Sequence, residues 1–282
     1  MLTNSQPSFT LTWIEKILRS KNELNSYENL IIEERKGYLV VKANELIQKN
    51  RFELSLPEQK TIAFICSMIK PNGLKENDFQ LNYDFNIRDY CKVCGLDYNN
   101  GNNYADIKNI LKKLSDRSMW LDDGNSEVLV RWLSKVRINK RSGLAKIELD
   151  NDLIPYLFDL GQRFTQYQLN NILAMKSAFS VRIYELMKSY SFQKSKTFDI
   201  DELKYLLMVE NVKSYGNFKD FRIYVLEKAQ QEINELTDIN IYYEPIFKGR
   251  KVVKVKFRIE EKSVFERAKS IAKTNIILNK NR

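Results

Sequence analysis

The chain has no histidine among its 282 residues, and that absence removes more chemistry than any motif supplies. Hydrolases that use a histidine base, histidine-metal nucleases and relaxases that hold a metal with two histidines beside a tyrosine are all excluded. Cysteine is scarce, at three residues, which argues against a disulfide framework. Cys91 and Cys94 form a C-x-x-C. With only Cys66 besides and no imidazole, the four ligands of a structural zinc cannot be assembled within one chain, so these thiols are expected to pack inside a helix face. No metal and no cofactor is expected. No G-x-x-x-x-G-K-[ST] loop occurs, against a P-loop motor. No charge-free apolar stretch approaches the roughly 18 residues of a membrane helix, and the start, Met1-Leu2-Thr3-Asn4-Ser5-Gln6-Pro7, lacks a basic region followed by an apolar run. The expectation is a soluble cytoplasmic protein without a membrane partner.

What the chain does have is a pattern written twice. Asn103-Tyr104-Ala105-Asp106-Ile107-Lys108 returns as Asn217-Phe218-Lys219-Asp220-Phe221-Arg222, in the same order of cap, aromatic, carboxylate, apolar and basic residues. Upstream, Phe85-Asn86-Ile87-Arg88-Asp89-Tyr90 has its counterpart in Phe198-Asp199-Ile200-Asp201-Glu202-Leu203. Matched segments at matched spacing point to a duplicated module facing a repetitive partner.

Each copy reads as two short helices and a hairpin. Asn103 and Asn217 are N-cap candidates, and Asp106 and Asp220 would sit in the first turn, at the positive end of the helix dipole. Asp199-Ile200-Asp201-Glu202 reads as a capping-box variant leading into Leu203, Leu206 and Leu207; Ile87, Tyr90, Cys91 and Cys94 form the equivalent apolar face. Alternating segments follow, in 127–149 around Lys140-Arg141-Ser142-Gly143 and in 239–259 around Lys248-Gly249-Arg250. Helix, turn, helix and hairpin is the order of a winged helix, so the expected fold is α+β with two tandem winged-helix domains. A chain of 282 residues has room for two such domains, each with its own core.

The 46 basic against 36 acidic residues, a net charge of +10, favour a polyanionic partner. Basic residues gather where a wing meets DNA: between Ile246 and Ile259 stand Lys248, Arg250, Lys251, Lys254, Lys256 and Arg258, with no acidic residue. A period of two sends Val253, Val255, Phe257 and Ile259 inward and Lys254, Lys256 and Arg258 outward. Lys248, Arg250 and Lys251 at the turn are the phosphate-contact candidates. In the second helix of the second copy, steps of about 100° place Phe218, Phe221, Val225, Ala229, Ile233 and Leu236 in the core and Lys219, Ile223, Glu227, Gln230 and Asn234 outside. Lys219 suits phosphate or guanine, Ile223 suits a thymine methyl, and Tyr224 borders the same face. Arg222 lies at the edge of the apolar arc, where Lys108 stands in the first copy, and both a DNA contact and an ion pair fit it. Lys213 and Tyr215 in the preceding turn flank a helix N-terminus that favours phosphate. In the first hairpin Lys140 and Arg141 serve the same purpose at the turn, while Leu129, Trp132 and Leu133 form an apolar surface suited to pairing with a second copy.

Two E-x-K spacings, Glu34-Arg35-Lys36 and Glu58-Gln59-Lys60, occur in some carboxylate-metal nucleases. Ser55-Leu56-Pro57-Glu58 is also a capping box, a simpler use for Glu58.

From about Tyr38 to Ile259 the chain resembles the replication initiators of iteron-containing theta plasmids. Tyr38-Leu39-Val40-Val41-Lys42-Ala43-Asn44-Glu45-Leu46-Ile47 and Phe52-Glu53-Leu54-Ser55-Leu56-Pro57-Glu58-Gln59-Lys60 resemble the family's opening. Lys176-Ser177-Ala178-Phe179-Ser180-Val181-Arg182-Ile183-Tyr184-Glu185-Leu186, Asp220-Phe221-Arg222, Glu232-Ile233-Asn234 and Lys248-Gly249-Arg250-Lys251-Val252 follow in order. The resemblance implies tandem winged helices, no enzymatic activity, and binding of double-stranded DNA as direct and inverted repeats at a plasmid origin. It also implies a homodimer that represses its own promoter and recruitment of host replication proteins. Carried onto this chain, base reading falls to Arg222, Ile223 and Tyr224, although some members place basic residues at all three. The organisation it implies is an extension over 1–36, a first winged helix over 37–150 for dimerisation and auxiliary DNA contact, a second over 151–260 for the main reading, and a basic helix over 261–282. Leu11, Ile14, Ile17 and Leu18 place one amphipathic helix in the extension, and Ser263-Val264-Phe265-Glu266 caps the closing helix. A winged-helix repressor without a replication role and a carboxylate-metal nuclease are the alternatives.

Overall fold

The computed structural model describes residues 30, 32, 34–51, 53–69, 80–97, 101–122, 125–160 and 163–280, the side chains of 101–103 excepted. The helix expected around Leu11, Ile14, Ile17 and Leu18 lies outside these residues, and so does the side chain of Asn103. The chain opens with β1 (Leu39–Ala43), α1 (Asn44–Gln48) and α2 (Leu56–Cys66). Ser55 starts α2 with the expected capping box: its own N–H donates to Glu58 Oε2 at 2.7 Å, and Pro57 needs no partner in the first turn.

The first copy of the repeat follows as β2 (Asn82–Asn86), α3 (Ile87–Cys94), α4 (Gly101–Asp116), β3 (Ser118–Asp122), β4 (Glu127–Arg131), β5 (Leu133–Ile138) and β6 (Leu144–Leu149). Asn86 caps α3 by accepting from the Arg88 N–H at 2.8 Å, and Ile87, Tyr90, Cys91 and Cys94 are buried as their spacing requires. Burial pushes the Cys91 and Cys94 thiols up to about 11 and about 12, so they are protonated packing groups at neutral pH. α4 begins at Gly101 rather than at an Asn103 cap, which moves Asp106 from the first turn to the second.

The hairpin read over 127–149 is two structures. β4 pairs with β3 to form a separate ribbon, and β5 pairs with β6. The break falls at Trp132, because Trp132 and Leu133 are consecutive and both buried, which a period of two cannot provide; a register shift between Leu133 and Lys135 restores the alternation. The apolar surface expected from Trp132 and Leu133 is therefore core, and Leu129 alone of the three is exposed.

After α5 (Ile154–Leu157) the chain returns through β7 (Phe164–Gln168), which pairs antiparallel with β1, then α6 (Asn170–Leu173) and α7 (Ala178–Ser189). α7 is tied to this sheet by buried charge. Lys42 Nζ lies 2.7 Å from Glu185 Oε1, the Tyr167 hydroxyl donates to the same oxygen at 2.6 Å, and an Arg182 Nη2–H donates to the Asn50 carbonyl at 2.9 Å.

The second copy comprises β8 (Ser195–Asp199), α8 (Ile200–Leu206), α9 (Phe218–Phe221), a π-helical segment (Arg222–Glu227), α10 (Lys228–Leu236), β9 (Ile239–Lys248) and β10 (Lys251–Glu261), closed by α11 (Val264–Lys280). Its sheet order, β8-β10-β9, reproduces the β2-β6-β5 order of the first: the strand before the helices pairs with the last strand of the hairpin. Phe85 and Phe198, Ile87 and Ile200, Tyr90 and Leu203, and Ile107 and Phe221 occupy matching buried positions. The duplicated pattern thus marks duplicated cores.

Three details differ from expectation. Asp199 makes no cap hydrogen bond; its carboxylate faces Lys254 at 3.3 Å across the paired strands. On β10 Val255, Phe257 and Ile259 point inward, but a bulge between Val252 and Lys254 buries Val252 in place of Val253. The π segment adds a residue to the helix turn, so that Leu226 joins Val225 in the core.

Candidate nucleic-acid interface

The second copy assembles a helix face and a wing from the residues that its sequence marked. Asn217 accepts from the Lys219 N–H at 2.9 Å and starts the helix. Phe221, Val225, Ala229, Ile233 and Leu236 are buried, while Lys219, Arg222, Ile223, Tyr224 and Glu227 are exposed. The π turn brings Arg222 beside Glu227, five residues on, with Nε 3.3 Å from Oε1 and side chains 44% and 50% exposed. Arg222 is thus both paired and open to solvent. Tyr215 differs from the other candidates: its half-buried ring packs edge-on to Phe179 and Phe221, 6.4 and 6.1 Å between centroids, so it shapes the turn that presents Lys213.

Lys248, Arg250 and Lys251 are exposed around Gly249, which adopts φ +62° with open space about it. The turn needs a left-handed residue, and glycine adopts that conformation without strain. Along β10 the outer face carries Lys254, Lys256 and Arg258; of these Lys254 faces Asp199 and Arg258 stacks over Tyr242, 4.5 Å from its ring centre.

In the first copy Lys108, Lys140 and Arg141 are exposed, the last two at the β5–β6 turn. Sequence reasoning missed that Lys135, Arg137 and Lys146 are exposed on the same sheet, with Arg137 directly across from Lys146. The signal was present as alternation in 135–138, hidden by joining β5 to β4. It also missed Phe247, 59% exposed beside the second wing tip.

The nuclease spacings find other uses. Glu58 caps α2, and Lys60 donates to the Leu173 carbonyl at 2.6 Å. Lys36 donates to Asn275 Oδ1 at 3.4 Å. Among the described residues no group of three acidic or cysteine side chains is arranged to hold a metal, and no helix is long and apolar enough to cross a membrane.

The family described as Initiator Replication protein, WH1 matches residues 39–188, and that described as Initiator Rep protein, WH2 matches residues 199–259. The chain belongs to this initiator family. A replication initiation protein of Escherichia coli is 24% identical over 231 residues, covering 79% of this chain and 69% of that protein. The Pi initiator protein, solved in complex with iteron DNA, superposes with a TM-score of 0.64 at 20% identity over 81% of this chain and 99% of its own. The two winged helices of this initiator are therefore the family's WH1 and WH2, and the WH1 match runs on through β7 and α7. α11 lies beyond both matches.

Proposed function

We propose that this plasmid replication initiator binds double-stranded DNA at directly repeated sites, iterons, in its origin. In this reading WH2 supplies the main sequence reading through Lys219, Arg222, Ile223 and Tyr224, with Lys213 and the wing residues Lys248, Arg250 and Lys251 on phosphates. WH1 contacts adjoining DNA through Lys108, Lys140 and Arg141. The observation that carries this is the repeated pairing of an exposed helix face with a basic wing in two units of the same sheet order. The decisive test is titration of the chain against direct repeats flanking its coding region. With six to ten phosphates neutralised, affinity falls by about 10³–10⁵ between 50 and 200 mM salt. A flat salt response overturns the reading.

The same proposal includes a homodimer that binds an inverted repeat and represses the initiator's own promoter, and recruitment of host replication proteins by the origin-bound form. The β3–β4 ribbon supports the dimer. Trp120 and Leu129 sit directly across from each other, 59% and 53% exposed, with Ser118 and Arg131 at one end of the same face and Asp122 and Glu127 at the other. A two-fold axis through the Trp120–Leu129 pair sets Arg131 of one copy against Asp122 and Glu127 of the other, a self-complementary arrangement. Sedimentation checks it. Trp120→Glu and Arg131→Glu each yield monomers, and adding Asp122→Arg and Glu127→Arg to Arg131→Glu restores the dimer. Monomeric variants keep direct-repeat binding and lose the inverted repeat. An unchanged oligomer in folded Trp120→Glu rejects the ribbon as the interface.

A further inference from the structure

The outer part of the second wing carries an apolar residue that neither the core nor phosphate binding accounts for. β9 pairs with β10 as far as Lys248↔Lys251, whereas β8 stops at Lys254, so the tip projects as a two-stranded ribbon beyond the three-stranded sheet. β9 has no bulge, and its alternation can be followed outward. Ile241 is buried, and Tyr243 packs against Phe257 at 6.2 Å between ring centroids, so both are on the core face. Pro245 and Phe247 continue that face. The helix that carries the reading residues is on this side of the sheet: Ile233 and Leu236 of α10 are buried in the same core as Ile241 and Phe257, and Asn234 exchanges hydrogen bonds with the Ile241 backbone at 2.7 and 3.0 Å. Phe247 thus faces the same way as the reading helix, roughly 13 Å farther along the strand than Tyr243.

A phenylalanine left 59% exposed here is set among Lys248, Arg250 and Lys251, and the bulge opposite adds twist that re-aims the tip. Its cross-strand neighbour Val252 is already buried, so the larger part of the ring is left over from packing. Exposed apolar wedges flanked by cations are what minor-groove proteins insert between base steps, exchanging stacking for a bend that brings more protein onto the backbone. With the helix in the major groove, a ribbon extending to one side meets the adjacent minor groove.

We propose that Phe247 is a minor-groove wedge that partly unstacks one base step beside the sequence read by WH2, with Lys248, Arg250 and Lys251 holding the flanking phosphates. This rests on the DNA-binding reading above and adds a deformation to it. The bound site is kinked at a fixed step, and flexible pyrimidine–purine steps are preferred there without a base-edge hydrogen bond.

The test uses the full chain and duplexes that it enriches from a random-sequence library, with 2-aminopurine substituted in turn at each adenine of the adjacent minor-groove segment. The wild type brightens the probe at one step several-fold and bends the duplex, read by end-to-end energy transfer. Phe247→Ala loses both signals and binds about tenfold more weakly. Phe247→Leu, another wedge side chain, retains them. Lys248→Ala weakens binding yet keeps the brightening, which a purely electrostatic wing would not do. If the wild type binds its selected duplex with no probe brightened, or if Phe247→Ala brightens it equally, the wedge is wrong while DNA binding stands. Failure to enrich any duplex overturns both.

Discussion

Lys42 and Glu185 are an ion pair almost wholly withdrawn from water, and their energetics decide what a substitution there does. Burial alone would raise the Glu185 carboxyl, but Lys42 and the Tyr167 hydroxyl reverse this and hold it below the usual range. Because the folded value is depressed, the stabilisation is present above the unfolded carboxylate pKa and is lost as pH falls through the folded one. Lys42→Met strands a buried carboxylate and costs about 3–5 kcal/mol, whereas Lys42→Met with Glu185→Leu removes both charges and recovers most of it. Urea unfolding at neutral and acid pH checks both statements, since the gap between wild type and Lys42→Met narrows on acidification. Arg222 is the opposite case. Its exposed pair with Glu227 contributes about 0–1 kcal/mol, so Arg222→Ala folds normally and instead loses about 1–3 kcal/mol on the cognate DNA site. A large drop in melting temperature with normal binding by the folded fraction makes Arg222 structural. Its two expected roles were both legible in sequence, but the partner was not, because Glu227 reaches it only through a π turn.

At the scale of elements, what was legible follows from how local each signal is. The Ser55–Glu58 and Ser263–Glu266 boxes involve residues three apart, and both form, with Ser263 N–H donating to Glu266 Oε2 at 2.8 Å. The β9–β10 hairpin follows from its alternation and a turn with glycine. Three readings failed where a distant partner decides. Asp199 is drawn to Lys254, the β4–β5 break depends on what buries Trp132 and Leu133, and the β10 bulge moves Val252 inward. The same distinction separates helix from wing in binding. Lys248→Ala or Arg250→Ala weakens all DNA sequences similarly and lowers the salt slope by about one per lost phosphate contact. Tyr224→Ala, on the exposed helix face, acts mainly on the cognate site. Competition titrations at several salt concentrations separate the two, and a sequence-dependent loss from Arg250→Ala would assign base reading to the wing.

For the whole molecule the open question is what holds two winged helices at one spacing, and α11 supplies a mechanism. Its first half belongs to WH2: Lys262, at its base, donates to the Asn234 and Thr237 carbonyls and to Ser270 Oγ, and Lys273 lies 2.7 Å from Glu235. Its second half reaches WH1: Leu278 is buried against Gly95, and Asn275 accepts from Lys36, just ahead of the WH1 match. Gly95 closes α3 in the left-handed conformation at φ +68°, and a Cβ there would come within 2.9 Å of the Leu278 carbonyl oxygen. Arg51 adds a second tie, pairing with Glu210 and stacking 3.6 Å over the Tyr205 ring. In the proposed reading, binding by the second domain is intramolecular once the first is bound; a strap of this kind raises its effective concentration, and loosening it lowers that concentration without touching a DNA contact. Gly95→Ala combines backbone strain with that clash, and Leu278→Ala removes packing without strain. Both are expected to leave WH2 binding to a half-length site unchanged while weakening the full direct repeat, Gly95→Ala more than Leu278→Ala. Limited proteolysis in 189–198, between the two family matches, quickens in the same order. Equal losses on half-length and full sites would mean that α11 serves WH2 stability alone, and that Arg51 with the α7 network sets the spacing.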